Sequence, residues 1–190
     1  MNNTIVKDLM IPVAEYPLIS SDATLGEAQI ALESAQKAHN KTHHRYQTLL
    51  VKNNESQIIG KISLMDLLVA IEPKYKRFGD MALLSRFGYS PGFYDYILKN
   101  IDLLQNPLDG LCRKAAVLKV KDIMSEHQIN AFIEESASLN QAIHQLVISN
   151  QQSLLVTRNK EIVGVLRLAD VAEALGEYMR SCVLEEAQSE

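Results

Sequence analysis

The chain has little cysteine. Cys112 and Cys182 lie 70 positions apart in 190 residues and form no CxxC pair. That excludes a disulfide scaffold and the usual zinc spacings, and a chain this long buries roughly 70% of its unfolded surface without such staples. No apolar run approaches the ~20 residues of a membrane-spanning helix, so no membrane insertion is expected. There is no basic stripe either. With a net charge of −4 and a pI of about 5.8, a nucleic-acid backbone is excluded as the main partner, and any bound anion must be held by a few local groups. The start, MNNTIVKDLM, lacks the basic end, apolar middle and cleavage site of a secretory signal, which points to the cytoplasm. What is present is an apolar fraction of 47% and a charged fraction of 22% in 21.3 kDa. Those values suit one ordinary globular domain, or two small ones sharing a core.

The chain matches itself. Val6-Lys7-Asp8-Leu9-Met10 recurs as Val120-Lys121-Asp122-Ile123-Met124, an offset of 114, which also pairs Leu25, Ala28 and Leu32 with Leu139, Ala142 and Leu146. Gln47, Leu49, Leu50 and Val51 match Gln152, Leu154, Leu155 and Val156 at offset 105, and Ile58, Gly60, Leu64 and Asp66 match Ile162, Gly164, Leu168 and Asp170 at offset 104. The slips fall in stretches expected to be loops, around Lys37 to Tyr46 and in the turn Asn53 to Gln57, where insertions cost little closure entropy. Two structural repeats follow, 6–71 and 120–175.

Each copy reads as β-α-β-β-α. In the first, Thr24 caps a helix carrying Leu25, Ala28, Leu32 and Ala35, Thr48 to Lys52 and Ile58 to Ile62 form a hairpin, and Ser63 caps a short helix through Ile71. In the second, Ile129 to Ile133 is extended and Leu139 to Ser149 helical. Ser153 to Thr157 and Ile162 to Leu166 pair across Arg158-Asn159-Lys160-Glu161, and Leu168 to Tyr178 is the last helix. One such unit cannot cover its own apolar sheet. Two copies packed about a pseudo-two-fold axis can, leaving clefts lined by helix starts, which favour anions.

Two β-α-β-β-α repeats, each opened by V-K-D-[LI]-M and closed by G-x-x-x-x-x-D, resemble a CBS-domain pair. The resemblance implies an α/β (α+β) module: repeat 1 at 6–71, a helical insertion at 72–119, repeat 2 at 120–178 and a tail at 179–190. It implies a regulatory module that is not an enzyme, a homodimer, and an adenosine-type ligand such as AMP, ADP, ATP or S-adenosylmethionine. In the motif Gly60-Lys61-Ile62-Ser63-Leu64-Met65-Asp66, Ser63 and the first-turn N–H groups can meet a phosphate, Asp66 can accept both ribose hydroxyls, and Gly60 permits close approach. Lys61 belongs to the same candidate set. Ser63-x-x-Asp66 is equally a capping box, which needs no ligand. The second motif keeps Asp170 but has Arg167 in place of the family's Ser or Thr, so the two clefts are not equivalent. Arg167 then either binds phosphate as a forked donor or fills its cleft. Met10 and Met124 stand where the base would lie, along with Ile11 and Ser125. Gln47 and Gln152 occupy positions where the family often places basic residues. Basic groups occur slightly earlier, at Lys41, His43, His44 and Arg45.

His39, His43 and His44 have metal-like spacing, but apart from Glu33, one helical turn or more away, no nearby acid or cysteine completes a ligand set, so no metal is expected. Cys112 and Cys182 have no partner base. Residues 72–119 hold seven of the eleven aromatics, with Phe93, Ile97, Ile101 and Leu104 at helical spacing and a further helix over Leu111 to Leu118. They read either as a helical cap on the pair's own sheets or as a surface for an unidentified target protein or dimer partner. The alternative to ligand sensing is therefore a ligand-independent dimerisation or interaction scaffold using 72–119, with a metal-dependent enzyme built on the histidine loop ranked last.

Overall fold

A computed structural model describes residues 4–38, 46–71, 108–124 and 131–187. The histidine loop, the aromatic helix over Phe93 to Leu104, and Ser125 lie outside them. The fold is mixed α/β, and the chain divides into two compact units, residues 18–126 and residues 1–17 with 127–190.

In the unit of residues 18–126, β2 (Leu18–Ser20) runs parallel to β3 (Thr48–Lys52), and β3 pairs antiparallel with β4 (Ile58–Ser63). As the central strand, β3 is buried from Thr48 to Val51, which is why it reads as a continuous apolar run rather than an alternation. Helix α2 (Leu25–Ala38) starts at Thr24, whose hydroxyl accepts from the Glu27 amide at 3.2 Å while Glu27 accepts from the Thr24 amide at 2.7 Å. Its Leu25, Ala28 and Leu32 form the buried stripe. Helix α3 (Leu64–Ile71) follows β4 directly, and α4 (Leu108–Ala116) packs on both α2 and α3.

The other unit repeats the plan. β5 (Phe132–Glu134) is parallel to β6 (Ser153–Arg158), which is antiparallel to β7 (Glu161–Arg167). Helix α6 (Leu139–Ser149) opens on a reciprocal Ser138–Gln141 capping box and closes on Asn150 in the left-handed region. Helix α7 begins at Leu168 and runs to Ala187, well past Tyr178. Leu139, Ala142 and Leu146 of α6 meet Leu154, Val156 and Leu166 of the sheet and Val171 and Ala174 of α7 in one buried cluster. Both hairpins carry a register irregularity at the same place, between Val51 and Lys52 and between Val156 and Thr157.

The two V-K-D-x-M segments form four-residue helices, α1 (Val6–Leu9) and α5 (Val120–Ile123). Each is hydrogen-bonded to the loop that enters the first helix of the other repeat. The Val6 and Lys7 amides donate to the carbonyls of Ala137 and Glu135, each at 2.9 Å, and Val6 is fully buried in that unit's core. Correspondingly, the Val120 and Lys121 amides donate to Ala23 at 2.9 Å and Ser21 at 3.0 Å, and the Lys121 ammonium bonds Asp22 at 2.8 Å. After α1, β1 (Ile11–Pro12) adds a fourth strand to the edge of β7, pairing Ile11 with Val165 and Pro12 with Gly164. Gly164 permits that approach: a Cβ there would sit 2.8 Å from the Ile11 carbonyl oxygen and 2.8 Å from the Met10 sulfur. The sequence repeats and the compact units are thus different divisions of one chain.

Candidate ligand-binding site at the strand-to-helix junctions

Each hairpin runs into its helix without a loop, β4 into α3 at Ser63/Leu64 and β7 into α7 at Arg167/Leu168. A helix beginning there has first-turn N–H groups to satisfy. In both units the first is taken by the main chain: Leu64 donates to the Gln47 carbonyl at 3.0 Å and Leu168 to the Gln152 carbonyl at 2.9 Å. Gln47 and Gln152 carry no charge toward an anion, yet their carbonyls pin the helix starts, a role that side-chain type cannot announce.

At the first junction the capping box forms. The Asp66 carboxylate (Oδ2) accepts from the Ser63 amide and from the Ser63 hydroxyl, each at 2.7 Å, and the Ser63 oxygen accepts from the Asp66 amide at 3.3 Å. Both side chains are therefore held in place before any ligand arrives.

The second junction is built differently. Arg167 Nε donates to Asp170 Oδ2 at 2.7 Å and Arg167 Nη2 to Asp170 Oδ1. This is a two-pronged pair, with only 12% and 15% of the two side chains exposed. It engages both oxygens of Asp170, the counterpart of Asp66, and it draws on the guanidinium expected to meet phosphate or fill the cleft. Forked geometry of this kind is among the stronger polar contacts.

The unit of residues 18–126 therefore contains Gly60, Lys61, Ser63, Asp66 and Met124, and the other contains Gly164, Arg167, Asp170 and Met10. Met124 is buried and follows α5 as its C-cap, and α5 packs against α3. Met10 packs at the margin of its unit's core, beside Gly164. Lys61 is only 5% exposed, in mid-strand opposite Leu50. Burial pushes its pKa down from 10.5 to about 8, with the negative charge of Asp66 acting in the opposite direction. Among the described residues, no group of three or more His, Cys, Asp and Glu side chains is placed to hold a metal ion, and no helix is long and apolar enough to cross a membrane.

The geometry can be set beside known proteins. A family model described as CBS domain matches residues 120–177. No match is found among curated proteins. A CBS domain-containing protein of unknown function from Bacillus anthracis is similar in structure, with a TM-score of 0.60 and 14% identity over 92% of this chain and 94% of that one. The CBS-pair protein CBSX2 from Arabidopsis thaliana gives a TM-score of 0.59 and 18% identity over 94% of this chain and 99% of that one. CBSX2 in complex with AMP gives 0.56 and 17%, over 92% and 98%. At these identities the likeness is one of fold.

Proposed function

We propose that this chain, in which residues 120–177 match the CBS-domain model, is a regulatory module whose β4–α3 junction binds an adenosine-type nucleotide. The observation that carries the reading is the preset Ser63–Asp66 pair, a carboxylate and a hydroxyl fixed at a helix start with an almost fully buried lysine in the adjoining strand. Asp66 accepts the ribose hydroxyls, and the first turn of α3, where the helix dipole favours negative charge, faces the phosphate. CBSX2, of the same fold, has been solved with AMP, which supports the ligand class. The Arg167–Asp170 pair disfavours the second junction, because a ligand there must displace an existing two-pronged contact. Regulation follows only if the ligand prefers one conformational state of the chain to another.

Thermal unfolding in AMP, ADP, ATP and S-adenosylmethionine tests the reading. A ligand at 100 times its dissociation constant adds about 2.7 kcal/mol, and Asp66→Ala is expected to abolish that gain. A ligand shift that survives Asp66→Ala assigns the site elsewhere, and no shift with any of the four favours a ligand-independent scaffold.

A further inference from the structure

The two strand-to-helix junctions match rung for rung. Ser63 stands across from Thr48 and Arg167 across from Ser153, and each precedes a leucine whose amide a glutamine carbonyl takes. Each is followed three residues on by an aspartate, Asp66 and Asp170. At the capping position itself they differ. Ser63 supplies an oxygen to the Asp66 amide at 3.3 Å. Arginine carries no acceptor and cannot cap a helix in this way, so helix formation gives no reason for Arg167. Its side chain is committed to Asp170 instead, with Nε donating at 2.7 Å to one carboxylate oxygen and Nη2 donating to the other. Partners three residues apart on one turn meet wherever the rest of the chain lies. With 12% and 15% of the two side chains exposed, water competes weakly for the pair.

Resting on the nucleotide reading above, we infer that Arg167 is the residue that closes the β7–α7 junction to a nucleotide, so that the chain takes up one adenosine nucleotide and not two. The guanidinium holds both oxygens with which Asp170 would accept a ribose, the role that reading gives to Asp66. A nucleotide entering there must break two charge-assisted bonds, which lowers its affinity about ten- to a hundredfold. Arg167→Ser turns the junction into Ser-x-x-Asp, an arrangement that the β4–α3 junction accommodates at the same rung, and releases Asp170 from the fork. A single substitution is therefore expected to create a second binding site.

Titration calorimetry of the intact chain with AMP and with ATP tests this, using wild type, Asp66→Ala, Arg167→Ser and the double variant Arg167→Ser/Asp170→Ala. Wild type is expected to bind one nucleotide per chain and Arg167→Ser two, with the second lost again in the double variant. Arg167→Ser is expected to fold, because the matching rung holds Ser63, and its melting curve checks that. Arg167→Gln, which also removes the charged fork, takes its place if it does not. Two sites of similar affinity in wild type would mean that Arg167 meets the ligand rather than excluding it. A single site in a folded Arg167 variant would mean that the fork only steadies the helix start. Either result ends the inference while the β4–α3 site stands. If wild type binds neither nucleotide, or Asp66→Ala binds them undiminished, the underlying reading fails and takes the inference with it.

Discussion

A lysine in the middle of a sheet is costly to keep. Lys61 has a pKa of about 8 in the folded chain against 10.5 as an ordinary value, so between those two pH values the unfolded chain holds a proton that the folded one has released. Stability therefore rises with pH across that window, and the full penalty is present below about pH 8. At 1.36 kcal/mol per unit the penalty is on the order of 3 kcal/mol. Urea unfolding of the ligand-free protein is expected to show Lys61→Met more stable than wild type at pH 7, with the difference shrinking toward pH 10. A variant that is less stable at pH 7 would mean that Lys61 stabilises the fold. The residue type stands plainly in the sequence, but its burial does not, because Ile58-Ile59-Gly60-Lys61-Ile62 carries no alternation that assigns a face. Only the offset that sets Lys61 against Val165 marks the position as apolar in kind. Ser63-x-x-Asp66 was legible as a box because its donors and acceptors are local. The Arg167–Asp170 fork was not, since the choice between a ligand and a neighbouring carboxylate depends on where the guanidinium swings.

Among the elements, local chemistry separates what was readable from what was not. The caps at Thr24 and Ser63 satisfy amides within three residues of themselves, so the sequence suffices to find them. The hairpin over Arg158 to Glu161 is also local. Asn159 and Lys160 both take positive φ, 51° and 69°, between the paired Arg158 and Glu161, the arrangement that suits the twist of a two-residue turn. Asparagine tolerates it and lysine pays for its Cβ. Lys160→Gly is expected to stabilise the chain by about 1 kcal/mol, read as a higher urea midpoint at unchanged slope. An unchanged or lower midpoint would mean that the lysine side chain offsets its backbone strain. The four-residue helices α1 and α5 were not legible. They are too short to show a period and exist because two main-chain bonds apiece tie them to a loop–helix entry distant in sequence.

At the scale of the whole molecule, the repeat was visible as two matching halves, but which half each V-K-D-x-M segment serves was not. The two docking loops are themselves copies: Ala137 and Glu135 receive Val6 and Lys7 as Ala23 and Ser21 receive Val120 and Lys121. Sequence alone cannot choose between such equivalent acceptors. Deleting residues 1–17 is therefore expected to harm the other end of the chain. It strips β1 from the edge of β7 and uncovers the core around Leu166 that buried Val6 completes, and losing a fully buried Val side chain alone costs about 1.5–3 kcal/mol. Hydrogen exchange is expected to quicken at Ile162 to Leu166 in the truncated chain. Unchanged protection there would show that the added strand contributes little.

This exchange of segments also orders events during synthesis. When residues 4–12 emerge from the ribosome, the surface they will cover has not yet been made. Their main-chain acceptors, Glu135 and Ala137, follow more than a hundred residues later. A chain that ends before residue 131 lacks the Glu135 and Ala137 carbonyls and the core that Val6 enters, so this segment has no docking place in it.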